Sequence, residues 1–350
     1  MKFSASGRHG LRSAGLAAAL AGTMLSLAAC GSSSADDKDD ESAAAFKAVT
    51  IKGALGTAEI TERPERVVAL GWSTADAMLA LGVVPVGMEA QPYGGDAKGV
   101  LPWVADKLED MGEKTPTVLN PTSAGDPDYK AILALKPDLV LAPYSGLTQA
   151  QYDKLAEIPG VDVVAYPETP WATPLNEVVN ISAEALGVDE DKAEDVLDGI
   201  DDAVEDAAEA HPEFKGKSIA TLAADTEQFW TYTQADPREK LLRDLGFTTA
   251  PSVLKFAETG DKGAFAVPFA YEKSAELTSD VLLAYSGSQD ELKALQAAPP
   301  YAAMEQVKKG TVANVVGESE VAAVSPPTAL SLTWGLNDLV DLLAEAVKKA

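Results

Sequence analysis

The sequence predicts an α/β fold of two Rossmann-like lobes, each built on a parallel sheet, joined by one long α-helix. Three observations carry that expectation. Short apolar runs alternate with helical segments along most of the chain, the pattern of parallel strands covered on both faces. Asp189 to Ala210, DEDKAEDVLDGIDDAVEDAAEA, has no proline and one interior glycine, Gly199. Within it Val196, Ile200, Ala203, Val204 and Ala207 fall at helical spacing and make one narrow apolar stripe, while acids cover the rest. Finally, the chain on either side of this helix says a similar thing twice. Upstream, Tyr129-Lys130 is followed by Asp138 in YKAILALKPDLVLAPYSG; downstream, Tyr271-Glu272 is followed by Asp280 in YEKSAELTSDVLLAYSG. Both pieces read as a helix running into a buried strand and a Tyr-Ser-Gly loop, an internal repeat. The 22 residues between them span roughly 33 Å as a helix, enough to bridge two lobes, and His211-Pro212 ends it.

Residues 1–29 read as an export signal. Lys2, Arg8 and Arg12 precede an apolar run from Ser13 to Leu27 that is too short and wrongly flanked for a mature membrane span. Leu27-Ala28-Ala29-Cys30, followed by Gly31 and three serines, resembles the lipobox of bacterial lipoproteins, which implies cleavage before Cys30 and lipid on its thiol. Residues 30–47 are small, polar and acidic and predict a disordered tether. Without residues 1–29 the chain keeps 25 basic against 54 acidic side chains, a formal net charge of −29. Nucleic acid is excluded as a partner, because a phosphate backbone needs a basic footprint.

From residue 48 to 188 the first lobe is expected. Val67 to Leu70 is a strand, Thr74 to Leu81 a helix stopped by Gly82, and Val83 to Val86 a strand. Tyr129 to Leu135 and Gln149 to Ile158 are helices, each followed by a strand, Leu139 to Ala142 and Val161 to Ala165. After the linker helix, 189–210, the second lobe is expected over 211–350. Its strands are Ser218 to Ala223, Val281 to Ala284 and Thr311 to Val316, alternating with helices at Arg238 to Leu245 and Glu291 to Ala297. An amphipathic helix, Thr328 to Lys348, closes the chain, with Lys348 and Lys349 set against its negative end.

Loops at the carboxyl ends of parallel strands form the ligand crevice in such folds. Here they hold aromatic residues: Trp72 after the first strand, Tyr144 after a later one, then Tyr166 and Trp171, and Trp230 and Tyr232 in the second lobe. Each ring fits a crevice wall or a packed core, as do Trp103 and Tyr301. Arg238, one of four arginines after residue 29, suits an oxygen-rich ligand or one of the many carboxylates.

Missing chemistry argues against catalysis. Of two histidines, His9 lies in the signal and His211 at a helix end, so no histidine metal cluster and no ordinary serine triad can be assembled. Cys30 is the sole cysteine, and no phosphate-binding glycine motif is present. A binding protein without covalent cofactor, other than lipid on Cys30, is the reading that remains.

RVVALGWSTADAMLALGVVPVG, AILALKPDLVLAPYSG, the linker beginning DKAE, LLRDLGF and the closing PTALSLTWGLNDLVDLLAEAV together resemble the iron-siderophore substrate-binding lipoproteins of ABC importers, above all those of Gram-positive actinobacteria. The resemblance implies a class III substrate-binding fold with little hinge motion, and a monomer on the extracytoplasmic face of the membrane, held there by lipid alone. It further implies delivery of a ferric siderophore, whose own oxygens hold the iron, to a permease with a cytoplasmic ATPase. Corrinoid and haem binders share the fold, and a surface interaction module is the reading from another class. The family docks on its permease through one glutamate per lobe. Glu272 stands at the second-lobe position, whereas the first lobe has Lys130 there and Asp128 as the nearest acid. Aromatic walls, a single arginine and an acidic surface favour a hydroxamate siderophore over a catecholate.

Overall fold

Val67–Ala69, Gly87–Glu89 and Leu139–Ala142 are buried along their whole length, and this two-sided burial is why the first and last are short uninterrupted apolar runs, while Gly87–Glu89 ends in a buried acid. They form the middle of a five-stranded, all-parallel sheet in the order Thr117–Leu119, Gly87–Glu89, Val67–Ala69, Leu139–Ala142, Asp162–Ala165. The architecture is that of a computed structural model describing residues 46–122, 125–225, 227–261 and 263–350, which belong to one compact unit. The signal, Cys30 and nearly all of the tether lie outside the described residues. Register at the sheet's centre is pinned by Asp138, whose carboxylate accepts from the backbone N–H of Glu65 at 2.8 Å and of Arg66 at 3.0 Å.

Helices Thr74–Ala80, Pro102–Asp110, Tyr129–Leu135, Gln149–Ala156 and Leu175–Leu186 connect or cover these strands. Two expectations shift here. The strand placed at Val83 to Val86 begins only at Gly87, and an antiparallel hairpin, Val49–Lys52 with Thr57–Ile60, precedes the sheet.

The second sheet departs from the all-parallel expectation. Ser218–Ala224, Val281–Ser286, Val312–Val316 and the short Thr248–Thr249 are parallel, but Phe229–Tyr232 and Ala266–Phe269 are antiparallel additions. The cause is local. Asp225 accepts from the N–H of Glu227 at 2.7 Å and of Gln228 at 2.8 Å, and this side-chain-capped turn reverses the chain within four residues. Phe229 to Tyr232, expected as a loop, is therefore a strand. Phe229 and Thr231 point inward, Trp230 and Tyr232 outward, the two-residue period of a pleated strand.

Between the sheets in chain order runs helix Glu190–Ala210, preceded by Asp189 as its N-cap. Its 21 residues span roughly 32 Å. Ala193, Ile200 and Val204 are buried, and the helix packs on Leu175–Leu186 from one side of the chain and on Pro237–Asp244 and Ser331–Val347 from the other. It stops at His211, whose ring stacks on Phe214 at 5.0 Å. The closing helix is Ser331–Val347; Thr328 lies before it and accepts from the Ser331 N–H at 3.1 Å instead of forming its first turn. Among the described residues no helix is long and apolar enough to cross a membrane.

Candidate functional site between the lobes

The first-lobe wall is built by a buried acid. Glu89, at the end of its strand, accepts from the backbone N–H of Gly71 at 2.6 Å and of Thr122 at 2.7 Å, drawing the loops after three neighbouring strands together. Burial raises its carboxyl above the ordinary range, and those donors oppose the rise. Gly71 has φ +80°, and a Cβ there would sit 2.4 Å from the Tyr144 carbonyl oxygen, so only glycine lets the two loops meet. The Trp72 N–H donates to that same carbonyl at 3.0 Å. Trp171, at φ +59°, lies over the bare face of Gly146 with its ring 6.0 Å from Tyr144 in an edge-on arrangement. It stays 43% exposed, a rigid apolar surface held ready in a strained backbone conformation.

The second-lobe wall carries the charge. Arg238 sits in the first turn of Pro237–Asp244. Its Nη1 donates to Asp236 at 2.6 Å, its Nε donates to Ser325 Oγ at 2.6 Å, and its cation lies 4.2 Å from the centre of the Tyr232 ring. Tyr285 stands 6.2 Å from Tyr232, and burial drives its hydroxyl far above the normal range.

The walls face one another. Burial raises Tyr144 of the first lobe, and the next influences on it are Arg238 and Asp236 of the second. The Trp72 indole N–H donates to the Pro326 carbonyl at 3.3 Å. Beside the rings a shallow hollow is lined by Trp72, Tyr144, Leu175, Pro237, Pro326 and Ala329. Tyr93, half-exposed, has its hydroxyl raised by burial and then by Glu291 and Glu318 of the second lobe.

A profile of the periplasmic binding protein family matches residues 67–315. The chain belongs to that family. It is similar to the probable siderophore-binding lipoprotein YfiY of Bacillus subtilis, 27% identical over 274 residues covering 77% of this chain and 78% of that one. Among solved structures it resembles PiaA of Streptococcus pneumoniae in complex with ferrichrome, at 33% identity and a TM-score of 0.73, covering 86% of this chain and 99% of PiaA. A periplasmic solute-binding protein of Mycobacterium smegmatis gives 25% identity and the same TM-score, 0.73, over 86% of this chain and 99% of that one. Two α/β lobes joined by one long helix, the class III arrangement, is thus the family's architecture and this chain's.

Of the residues singled out by sequence, Trp72, Tyr144, Trp171, Tyr232 and Arg238 come together. Trp230 shares the outward face of Tyr232 nearer the hairpin turn, where its indole N–H donates to Asp225 at 2.8 Å. Tyr166 is a correction: it is 5% exposed, packed in the core beneath the sheet, and its hydroxyl donates to the Leu147 carbonyl at 3.0 Å. It lines no crevice. Trp103 and Tyr301 are likewise core residues. Glu272 is exposed in the 3-10 turn Tyr271–Glu276, which the Tyr271 hydroxyl ties to the Asp225 carbonyl at 2.7 Å. Asp128 caps helix Tyr129–Leu135 by accepting from the Ala131 N–H at 3.0 Å, while Lys130 is exposed.

Sequence reasoning missed Asp236, Tyr285 and Ser325. Tyr285 was within reach, because it opens the second Tyr-Ser-Gly of the repeat whose first copy supplies Tyr144. Asp236 and Ser325 carried no signal among so many acids and serines.

Proposed function

We propose that this chain is an extracytoplasmic solute-binding lipoprotein that captures a ferric siderophore of the hydroxamate type in the crevice and delivers it to an ABC importer. The observation that carries the reading is the ring of aromatic side chains from both lobes around one arginine: Trp72, Tyr144 and Trp171 on one side, Tyr232 and Tyr285 on the other. Flat apolar walls fit the organic shell of a siderophore, and an arginine fork fits its iron-bound oxygens. Family membership supports this, as does the likeness to a protein solved with ferrichrome.

The same reading assigns the rest of the chain. Residues 1–29 are removed, lipid on Cys30 holds the protein to the membrane, and 30–47 is a tether to lobes 48–188 and 211–350 joined by helix 189–210. The protein acts as a monomer without catalysis, the iron staying with its siderophore. Glu272, with Asp128 in the first lobe, meets a permease driven by an ATPase.

Intrinsic fluorescence tests the ligand. Two of the five tryptophans, Trp72 and Trp171, stand at the crevice, so a ferric trihydroxamate is expected to quench saturably, whereas haem and cobalamin are not. Quenching by haem or cobalamin alone would overturn the reading. For docking, Glu272→Lys is expected to abolish iron uptake and leave ligand binding unchanged; uptake that survives removes Glu272 from the permease contact.

A further inference from the structure

Arg238 does not enter the crevice as an unopposed charge. The Asp236 side chain is 2% exposed, and besides its bond to Nη1 its Oδ1 accepts from the Arg238 backbone N–H at 2.8 Å. Nε is committed to Ser325. A guanidinium has five N–H donors, so those not held by Asp236 and Ser325 are left to meet acceptor oxygens. The other arginines do not add charge at this point. Arg66 donates to the carbonyls of Leu135 and Lys136, Arg243 to those of Glu239 and Gln234, and Arg63 lies beside Gly187. Two carboxylates of the second lobe, Glu291 and Glu318, act on Tyr93 of the first, which also feels Tyr232.

We propose that Asp236 sets the charge selectivity of the site. By cancelling Arg238 it leaves a hydrogen-bonding fork with no net charge, which accepts the oxygens of a neutral ferric hydroxamate and rejects trianionic ferric catecholates. The proposal rests on the siderophore reading above and names the residue that narrows it. A trianion nearing an isolated guanidinium in a half-desolvated crevice gains strong Coulomb attraction, whereas a compact ion pair presents only a dipole, whose field falls off faster with distance. The two carboxylates then repel what the pair fails to attract. A neutral complex is indifferent to both and loses nothing.

Asp236→Asn is the informative change. Asparagine caps a helix as well as aspartate and keeps an acceptor for the guanidinium, so only the charge is removed. Ferrichrome and a trianionic ferric catecholate are titrated against the whole mature chain, wild type and variant. Wild type is expected to favour ferrichrome by about a hundredfold, and the variant to narrow that gap by about tenfold, through tighter catecholate binding. A ratio unchanged in the variant overturns the proposal. Should the variant not fold, the salt dependence of the wild type decides. Between about 20 and about 500 mM NaCl, screening of the repulsion is expected to tighten catecholate binding; binding that weakens with salt shows an uncancelled cation and overturns the proposal. A wild type that binds no ferrichrome removes the siderophore reading itself, and the selectivity proposal with it.

Discussion

The two lobes repeat one device and then diverge above it. In the first, Asp138 precedes strand Leu139–Ala142 and its carboxylate takes the N–H groups of Glu65 and Arg66, just ahead of the neighbouring strand. In the second, Asp280 precedes Val281–Ser286 and takes the N–H and hydroxyl of Ser218, where its neighbouring strand begins. At the opposite end of the same strands the lobes part. Tyr144-Ser145-Gly146 has left its sheet and seats Trp171, whereas Tyr285 and Ser286 are still paired with Val315 and Val316. The first lobe offers an uncharged aromatic wall, the second an ion pair set among tyrosines. A shared strand pair with an aspartate at its foot fixes the scaffold, and the loops past its carboxyl end are left to specialise.

The largest effect should come from breaking the charged wall. Arg238→Ala leaves Asp236 buried without its cation, and a loss of about 4 kcal/mol in urea-unfolding stability is expected. Trp171→Ala on the exposed first wall should cost stability little; equal losses for the two would erase the contrast.

Each lobe also contains a buried acid. Burial pushes Asp76 up to about 6, although it accepts from the Trp103 indole at 2.6 Å and from Thr328. Burial pushes Glu239, 0% exposed, up to about 7; one of its oxygens accepts from Thr249 at 3.0 Å and the other has no partner. A raised folded pKa stabilises fully below the unfolded value, and the contribution is lost as pH rises through the folded one. Stability is therefore expected to fall between about pH 4 and 7, by up to about 3 kcal/mol for each group. Asp76→Asn and Glu239→Gln should each flatten part of that slope in unfolding measured against pH. A slope untouched by either would show that these acids are not the groups responsible.

The repeated device itself is tested by Asp138→Ala and Asp280→Ala. Each strands backbone donors at a strand start and should lower stability by about 2 kcal/mol; a neutral result for one would end the equivalence. Asp280 is held below the usual carboxylate range, first by the Ser218 N–H. Its contribution is present above the unfolded pKa and lost as pH falls through the lower folded value, the opposite sense to Asp76.

The smallest change separates the linker from both lobes. Gly199 is exposed in the interior of Glu190–Ala210, and a Cβ there meets nothing within 4 Å. Gly199→Ala should add about 1 kcal/mol and leave ligand affinity unchanged. Altered affinity would mean that the helix does more than join the lobes.

The linker, the central strands and the repeat were legible because each rests on a local period. A 3.6-residue stripe and an uninterrupted apolar run are written in neighbouring residues. The hairpin at Asp225 was lost because FWTY reads as aromatic loop chemistry until a turn makes its alternation visible. Asp128, proposed above for the first-lobe permease contact, is engaged as a helix cap, and Lys130 beside it is exposed.

By itself the sequence determined the α/β class, the single long linker, the family resemblance and the absence of a histidine metal cluster. Which aromatic rings meet at the crevice was decided only by tertiary structure. Tyr144 and Tyr166 both follow apolar strands, yet Tyr166 finds a carbonyl partner inside the core while Tyr144 is turned outward by the loop that Gly71 allows so close. Burial depends on what the rest of the chain packs against a side chain, as does the bond from Arg238 to the Ser325 hydroxyl, 87 residues away. No local pattern encodes that distance.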